Sequence, residues 1–320
     1  MMTAMLEVLS TLRDRAGAWF HAHAAKLHVR LAVAVLLAFM HVLAFAKTGD
    51  DRIDVGFNTA AGHEPYYSDP DASAVRGYPR QPHYWSRLVV SRWDAQHYIG
   101  FAIRGITACP TDGSGGEEKD AAYLECGLGW LPAWGLAAGA ITEVLPAPAD
   151  YVLMILSLLA AVAIGFLWTS SAIVDRIGRV EAYATLVAFH LFPSAFYIVT
   201  PYSEAATLAL VLAGFVCLAK DRWLLAGLAI GAASALRASV VAFALALGCA
   251  ALYRAWTRRN EDDPRWWRPL LAIPLSGWGM VAQLIALQIF VGDWRAYLRA
   301  RDAFGDQRDF TRILDPEWYL

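Results

Sequence analysis

Residues 151–173 read YVLMILSLLAAVAIGFLWTSSAI, a run of 23 residues without a charged side chain. A helix of this length can cross the roughly 30 Å hydrocarbon core of a bilayer with some tilt. The whole chain has the same character, because 58% of its 320 residues are hydrophobic and only 18% are charged. Its apolar residues come in long blocks rather than alternating, which predicts an all-α polytopic membrane protein. The net charge of −2 gives no indication of a nucleic-acid partner.

Apolar runs of the same kind lie on both sides of this stretch, and together they predict about seven membrane spans. The run 224–254 is too long for one ordinary span and holds Arg237 near its middle, so we predict two shorter helices that meet at residues 237–239. Residues 127–149 contain several Pro and Trp residues, which favours a helix at the membrane interface over a crossing. The predicted spans are 31–46, 151–173, 182–200, 205–219, the two halves of 224–254, and 270–291.

The distribution of basic residues predicts which ends of the spans face the cytoplasm. If residues 127–149 do not cross, the basic loops 175–179, 220–222 and 254–268 all lie on the side of the basic N-terminus. The positive-inside rule assigns that side to the cytoplasm. We therefore predict a multi-pass protein of the cell inner (cytoplasmic) membrane, with residues 47–150 as a long extracytoplasmic loop.

The chain then divides into three parts. Residues 1–30 are amphipathic and charged and lack a small-residue cleavage pattern, so we predict a cytoplasmic or interfacial N-terminus rather than a cleavable signal peptide. Residues 31–291 form the transmembrane module, and residues 292–320 form an extracytoplasmic C-terminal segment. Polar stretches of the outer loop, of residues 201–204 and of the C-terminal segment converge on the outer face, as they would at an interfacial active site.

Residues 91–106 of the outer loop predict an amphipathic helix with polar chemistry at one end. Asp94, His97 and Tyr98 follow helical spacing and share one face. The alternative is structural, because Ser91 with an acid three residues later fits a capping box. His97 and Tyr98 likewise have an alternative interpretation as packing residues.

Two ionisable residues, Glu204 and Arg237, stand at the outer ends of predicted spans. Such residues at membrane depth are functional candidates by default. Glu204 follows Ser203 at a predicted helix start, where an acid also stabilises the helix dipole, so capping and site roles are both open. Arg237 is suited to binding a lipid phosphate, and its alternative is to extend its side chain to the interface.

The four cysteines divide into two pairs. Cys109 and Cys126 flank a Gly-rich acidic segment of the outer loop, so we predict a disulfide between them in an oxidising compartment. Cys217 and Cys249 lie within predicted spans and are expected to be packing residues. No second ligand pair stands near the outer cysteines, so we expect no metal site.

Several segments together resemble the PIG-V type mannosyltransferases, over roughly residues 85–305. The segments, in order, are Arg92-Trp93-Asp94 with Tyr98, Phe192-Pro193-Ser194, Pro201-Tyr202-Ser203-Glu204, Trp223-Leu-Leu-Ala226-Gly227, Leu236-Arg237-Ala-Ser, and Gly292-Asp293-Trp-Arg-Ala296-Tyr297. The last segment departs from the family pattern at Trp294, where proline is usual. Members of the family commonly have further membrane spans after this segment. A partner subunit that supplies such spans is one open alternative.

The resemblance implies a GT-C module of about seven transmembrane helices, whose long first extracytoplasmic loop carries interfacial helices. It also implies transfer of a sugar, mannose in this family, from a polyprenyl-phosphate carrier in the membrane to a glycan, glycolipid or protein acceptor. Asp94 would act as general base with inversion at the anomeric carbon, and no cofactor or metal is required. Arg237, with Arg92 second, would bind the phosphate. The remaining substrate-binding residues would be Trp93, His97, Tyr98, Tyr202 and Glu204.

A transporter or flippase is the main alternative. It would use Arg237 and Glu204 as buried substrate or coupling groups. The absence of an internal sequence repeat and the long polar outer loop argue against it.

Overall fold

The computed structural model describes residue 18 and residues 22–50, 94–106, 123, 126–261 and 263–303. Every regular element in these ranges is an α-helix or a short 3-10 helix, which confirms the all-α prediction for this part of the chain. The α-helices in chain order are α1 (Leu27–Asp50), α2 (Asp94–Arg104), α3 (Ala133–Val144), α4 (Ala149–Trp168), α5 (Ser171–Ile177), α6 (Arg179–Leu191), α7 (Glu204–Ala219), α8 (Trp223–Ser234), α9 (Val241–Asn260), α10 (Ala272–Leu275), α11 (Trp278–Val291) and α12 (Ala296–Ala303).

Three helical segments are long and apolar enough to cross a membrane, which supports a membrane protein. They are Ala149–Trp168, Ala238–Asn260 and Arg268–Val291, and shorter apolar helices are Leu27–Leu43, Glu204–Ala219 and Trp223–Ser234. Large apolar side chains such as Leu159, Leu245 and Ile289 are exposed on the long segments, as lipid-facing side chains are. The count of about seven spans stays a prediction.

The span predicted for residues 151–173 ends early. Helix α4 ends at Trp168, and the Thr169 hydroxyl donates to the Gly165 carbonyl oxygen at 2.9 Å. A hydroxyl that bonds back one turn competes with the helical ladder, and α5 begins as a separate helix at Ser171.

The continuous helix predicted for residues 182–200 is wrong. Helix α6 already begins at Arg179 and ends at Leu191, and a 3-10 helix, Pro193–Ile198, follows it. Proline has no N–H to donate and its ring clashes with the preceding turn, so an α-helix rarely runs through it. The chain between α6 and α7 is therefore not a continuous α-helix. Its residues Ala195 and Tyr197 line the same cavity as Glu204 at the start of α7.

The break predicted at residues 237–239 is confirmed. Helix α8 ends at Ser234, the backbone of Arg237 is extended (φ −148°, ψ 134°), and a 3-10 helix, Ala238–Val240, leads into α9. The reversal brings α9 back alongside α8, so that α7 and α9 both begin at the same end of the module.

Helix α3 covers most of the region for which an interfacial helix is predicted. Its 12 residues extend about 18 Å at the helical rise, well short of the hydrocarbon core. It packs against α2 and α4, and α4 packs in turn against α1 and α7. One buried cluster, which includes Tyr98, Trp134, Leu153 and Tyr202, joins α2, α3 and α4 and positions α2 beside the start of α7.

Candidate functional site

Two glycines hold α3 against the helix that begins with Asp94. Gly135 and Gly139 lie one turn apart on α3, and a Cβ on Gly135 would stand 2.3 Å from the Tyr98 carbonyl oxygen. A Cβ on Gly139 would stand 2.7 Å from the Ala102 carbonyl oxygen. Only glycine permits this approach, so the two positions fix α2 in place. The G-x-x-x-G spacing is a sequence signal for this contact that the predictions above missed.

Tyr98 joins α2 to the start of α7. Its side chain is 2% exposed, and its phenol oxygen lies 2.8 Å from the Ser203 hydroxyl, which is also fully buried. Burial raises the pKa of Tyr98 well above its usual value, and the hydrogen bond with Ser203 offsets only part of this rise. The phenol is thus neutral and enclosed. Its geometry fits a positioning residue better than the substrate contact predicted for it.

Asp94 stands in the first turn of α2 and is half-buried. An acid at this position stabilises the helix dipole. The capping box predicted with Ser91 lies outside the described residues. Tyr202 lies within electrostatic reach of Asp94: burial raises the pKa of Tyr202, and the Asp94 carboxylate raises it further. The structure thus brings Asp94 and Tyr202 together, although more than a hundred residues separate them in the sequence.

Glu204 and Arg237 form an ion pair at the start of α7. Arg237 Nη1 donates to Glu204 Oε1 at 2.5 Å, and both side chains are about one-third exposed, 35% and 33%. The other carboxylate oxygen, Glu204 Oε2, is buried without a hydrogen-bond partner. A buried carboxylate oxygen without a donor is costly, so Glu204 Oε2 has acceptor capacity that the described residues leave unused.

The ion pair lines an apolar cavity of about 370 Å³. Its other walls come from the end of α6, the following 3-10 helix, α7 and α9, and include Phe192, Leu208 and Phe243. Ligand sites are typically apolar cavities of about this size with a few polar groups that fix orientation. Glu204 and Arg237 are the charged residues among the cavity's lining, so one charged end meets an apolar interior.

His97 has a packing role in this structure. Its ring stacks on Trp130 with centroids 3.7 Å apart and planes 15° apart. Gly127, at φ +81°, lies so close that a Cβ there would stand 2.6 Å from His97 Nδ1. Burial, and to a smaller extent the charge of Arg104, lower the pKa of His97 to about 4. The imidazole is therefore neutral at neutral pH and holds residues 127–130 against α2.

The predictions for Arg92, Trp93 and Cys109 lie outside the described residues. Cys126 is described, but its predicted disulfide with Cys109 lies outside them as well. Cys217 is half-buried and Cys249 is exposed on α9. Among the described residues, no group of three or more His, Cys, Asp or Glu side chains has the arrangement of a metal site.

The described part of the predicted site is thus compact: Asp94, Tyr98, Tyr202, Glu204 and Arg237 gather where α2 meets the start of α7 and the break before α9. Comparisons of the chain with known protein families, with curated proteins and with solved structures found no match.

Proposed function

We propose that the protein is an integral membrane glycosyltransferase that moves a sugar, mannose by resemblance, from a polyprenyl-phosphate carrier to an acceptor hydroxyl on the extracytoplasmic face. The observation that carries the proposal is the junction of an acid-bearing helix with a charged pair at one end of an apolar cavity. A lipid-linked sugar phosphate has the same division into a charged head and an apolar tail.

Asp94 is the proposed general base. Its carboxylate takes the proton of the acceptor hydroxyl as the acceptor oxygen bonds to the anomeric carbon. The bond from that carbon to the phosphate oxygen breaks, and polyprenyl phosphate leaves with the bonding electrons. A single displacement of this kind inverts the anomeric configuration, and a phosphate leaving group needs no protonation once its charge is neutralised.

Arg237 is the proposed phosphate ligand, and its ion pair with Glu204 is compatible with this role. A guanidinium carries several N–H donors in a planar fork, and one of them serves Glu204 Oε1. The others are left to bind phosphate oxygens. Glu204 holds the guanidinium at the cavity. Its second oxygen, buried in this structure, accepts a hydrogen bond from a hydroxyl of the sugar or acceptor when the substrate is bound.

The other described residues of the predicted site, Tyr202, Tyr98 and His97, position the groups that contact substrate. Tyr202 lies within electrostatic reach of Asp94, but its side chain is 4% exposed and does not line the cavity, so it supports Asp94 instead of contacting the sugar. Tyr98 and His97, which are packed on Ser203 and Trp130, orient α2 instead of contacting substrate.

A transporter remains a second candidate because of one observation, the Glu204–Arg237 pair beside a cavity. Substrate binding can shift such a pair between two arrangements. This candidate requires no base, so Asp94 would have only its helix-terminal role.

The test is transfer by the purified protein in proteoliposomes that contain polyprenyl-phosphate mannose and a panel of glycolipid acceptors. We expect a mannosylated acceptor with inverted configuration and release of polyprenyl phosphate. Movement of the intact carrier between leaflets, without any product, would contradict the proposal and favour the transporter.

A further inference from the structure

A second apolar cavity, of about 140 Å³, lies farther along the same helices. Its walls include Gly214 and Leu218 of α7 and Ala250 of α9, and its floor includes Ala226 and Ile230 of α8. Helix α8 packs on both α7 and α9, so it closes the bottom of a furrow between them. Phe243 lines this cavity and also the one beside Glu204 and Arg237, so the two cavities are consecutive compartments of one furrow.

Phe243, which lines both compartments, contacts Phe215, which lines the far one. The rings of Phe215 on α7 and Phe243 on α9 meet edge to face, with centroids 6.1 Å apart. Both side chains are about two-fifths exposed, 43% and 40%, so neither is locked in a packed core. Beyond them, the far compartment is lined by small residues, Gly214, Ala246 and Ala250, which leave space instead of filling it.

The dimensions fit a lipid tail. From Glu204 to Leu218 the furrow follows α7 for about 21 Å at the helical rise, which is roughly two-thirds of the hydrocarbon core. Any apolar furrow in a bilayer touches lipid, but this one ends at the guanidinium of Arg237 and at the candidate site. That continuity favours a lipid whose phosphate head lies at Arg237, and competition with phosphatidylglycerol separates an isoprenoid phosphate from a phospholipid.

We infer that the furrow between α7 and α9 holds the hydrocarbon tail of a long-chain isoprenoid phosphate, and that the Phe215–Phe243 contact divides it so that the protein distinguishes carriers by tail length. The inference rests on the proposed function for the identity of the carrier. A short tail occupies the near compartment alone, whereas a long tail displaces the two rings and enters the far compartment.

The expected discrimination is modest. Lipid tails are as apolar as the furrow, so the tail gains van der Waals packing but no hydrophobic transfer energy. Filling the far compartment with Ala250→Leu should therefore raise the KM for a long-chain carrier about threefold to tenfold. The KM for a short-chain carrier should not change. Ala242→Leu is the matched control, because Ala242 is exposed on the same helix and lines neither cavity.

Binding is tested separately with a polyprenyl phosphate that carries a photoreactive group in its tail and no sugar. We expect labelling of α7 and α9 that unlabelled polyprenyl phosphate competes away and phosphatidylglycerol does not. Labelling elsewhere, or equal competition by phosphatidylglycerol, would overturn the inference even if sugar transfer is observed. Labelling of the furrow in a protein without transfer activity would support the tail site and contradict the proposed function.

Discussion

Helix α7 carries an arginine–carboxylate pair at each end, and the two pairs differ in their surroundings. At its start, Arg237 pairs with Glu204 beside an apolar cavity, and one carboxylate oxygen is buried without a partner. Just past its end, Arg258 pairs with Asp221, which is about half exposed and also accepts the Trp223 indole N–H at 2.7 Å. Arg258 in turn lies 3.8 Å from Asp263.

An ion pair by itself does not mark a site. The pair at the far end has further partners in Trp223 and Asp263, and Asp221 is about half exposed, so it serves to hold the loop after α7 to α9. The pair at the start leaves acceptor capacity unused next to a cavity. We therefore expect substitutions at the start to change activity, and substitutions at the far end to change only stability.

The largest expected effect separates the two arginines. Arg237→Ala should lower kcat/KM for sugar transfer about 10²- to 10³-fold, because it removes the cation that neutralises the leaving phosphate. Arg258→Ala should leave kcat/KM unchanged and lower the free energy of unfolding by about 1 kcal/mol. Both variants are compared by transfer rate and by thermal unfolding in detergent. If both variants fold and lose sugar transfer to the same extent, the distinction between the pair at the start of α7 and the pair past its end is contradicted.

The next effect concerns the pH dependence of stability at His97, which packs residues 127–130 against α2. Burial lowers the pKa of His97 to about 4, below its unfolded value near 6.5. The unfolded chain therefore binds a proton that the folded chain does not, and stability falls as the pH drops from about 6.5 to about 4, by about 3 kcal/mol in total. His97→Gln should flatten this part of the stability profile. Denaturant unfolding at a series of pH values measures it, and an unchanged slope in the variant would contradict the burial of a neutral imidazole.

A smaller effect is expected from the link between α2 and α7. Tyr98→Phe removes the hydrogen bond to Ser203 and leaves a buried hydroxyl without a partner, which should cost about 1–2 kcal/mol of stability. If Tyr98 orients α2, kcat should fall while the KM for the carrier stays unchanged. A loss confined to the KM would instead assign Tyr98 to substrate binding. Thr257→Val, at an exposed hydroxyl on α9, is the control.

The smallest effect is at the far end. Burial alone would raise the pKa of Asp221, but hydrogen bonds from Trp223 and Arg258 outweigh it and hold the pKa below its usual value. The stability this provides is present above the unfolded pKa near 4 and is lost as the pH falls through the lower folded value. Asp221→Asn should remove this loss of stability at acidic pH. Added salt should make the loss smaller in the wild type, because salt screens the Asp221–Arg258 pair. If salt does not change the loss of wild-type stability at acidic pH, the interpretation of Asp221 and Arg258 as a pair screened by solvent is contradicted.

The helices and the break at Arg237 could be predicted because their signals are local. A charge in the middle of a 31-residue apolar run, 224–254, leaves few arrangements other than two helices that reverse there. The end of α6 before Pro193 also had a local signal, which the apolar content of the region outweighed in our prediction. Fold class and most helix positions therefore follow from composition and periodicity.

The site could be predicted only as a set of residues, because its geometry depends on long-range packing. Pairing of Arg237 with Glu204 requires the reversal after α8, and enclosure of Tyr98 requires the close approach of α3 at Gly135 and Gly139. Neither is encoded in the spacing of the residues concerned. The furrow is likewise a gap between helices, set by small side chains on three of them.

The most direct test of the central claim is sugar transfer by Asp94→Asn against wild type in proteoliposomes with polyprenyl-phosphate mannose. Asn caps a helix about as well as Asp but cannot accept the proton. Asp175→Asn, at an exposed acid on α5, is the matched control. We predict that Asp94→Asn loses about 10²- to 10⁴-fold in kcat while its stability falls by no more than about 1 kcal/mol, and that the control keeps full activity. Transfer at the wild-type rate by Asp94→Asn would contradict the assignment of Asp94 as the base and leave it a helix-terminal role.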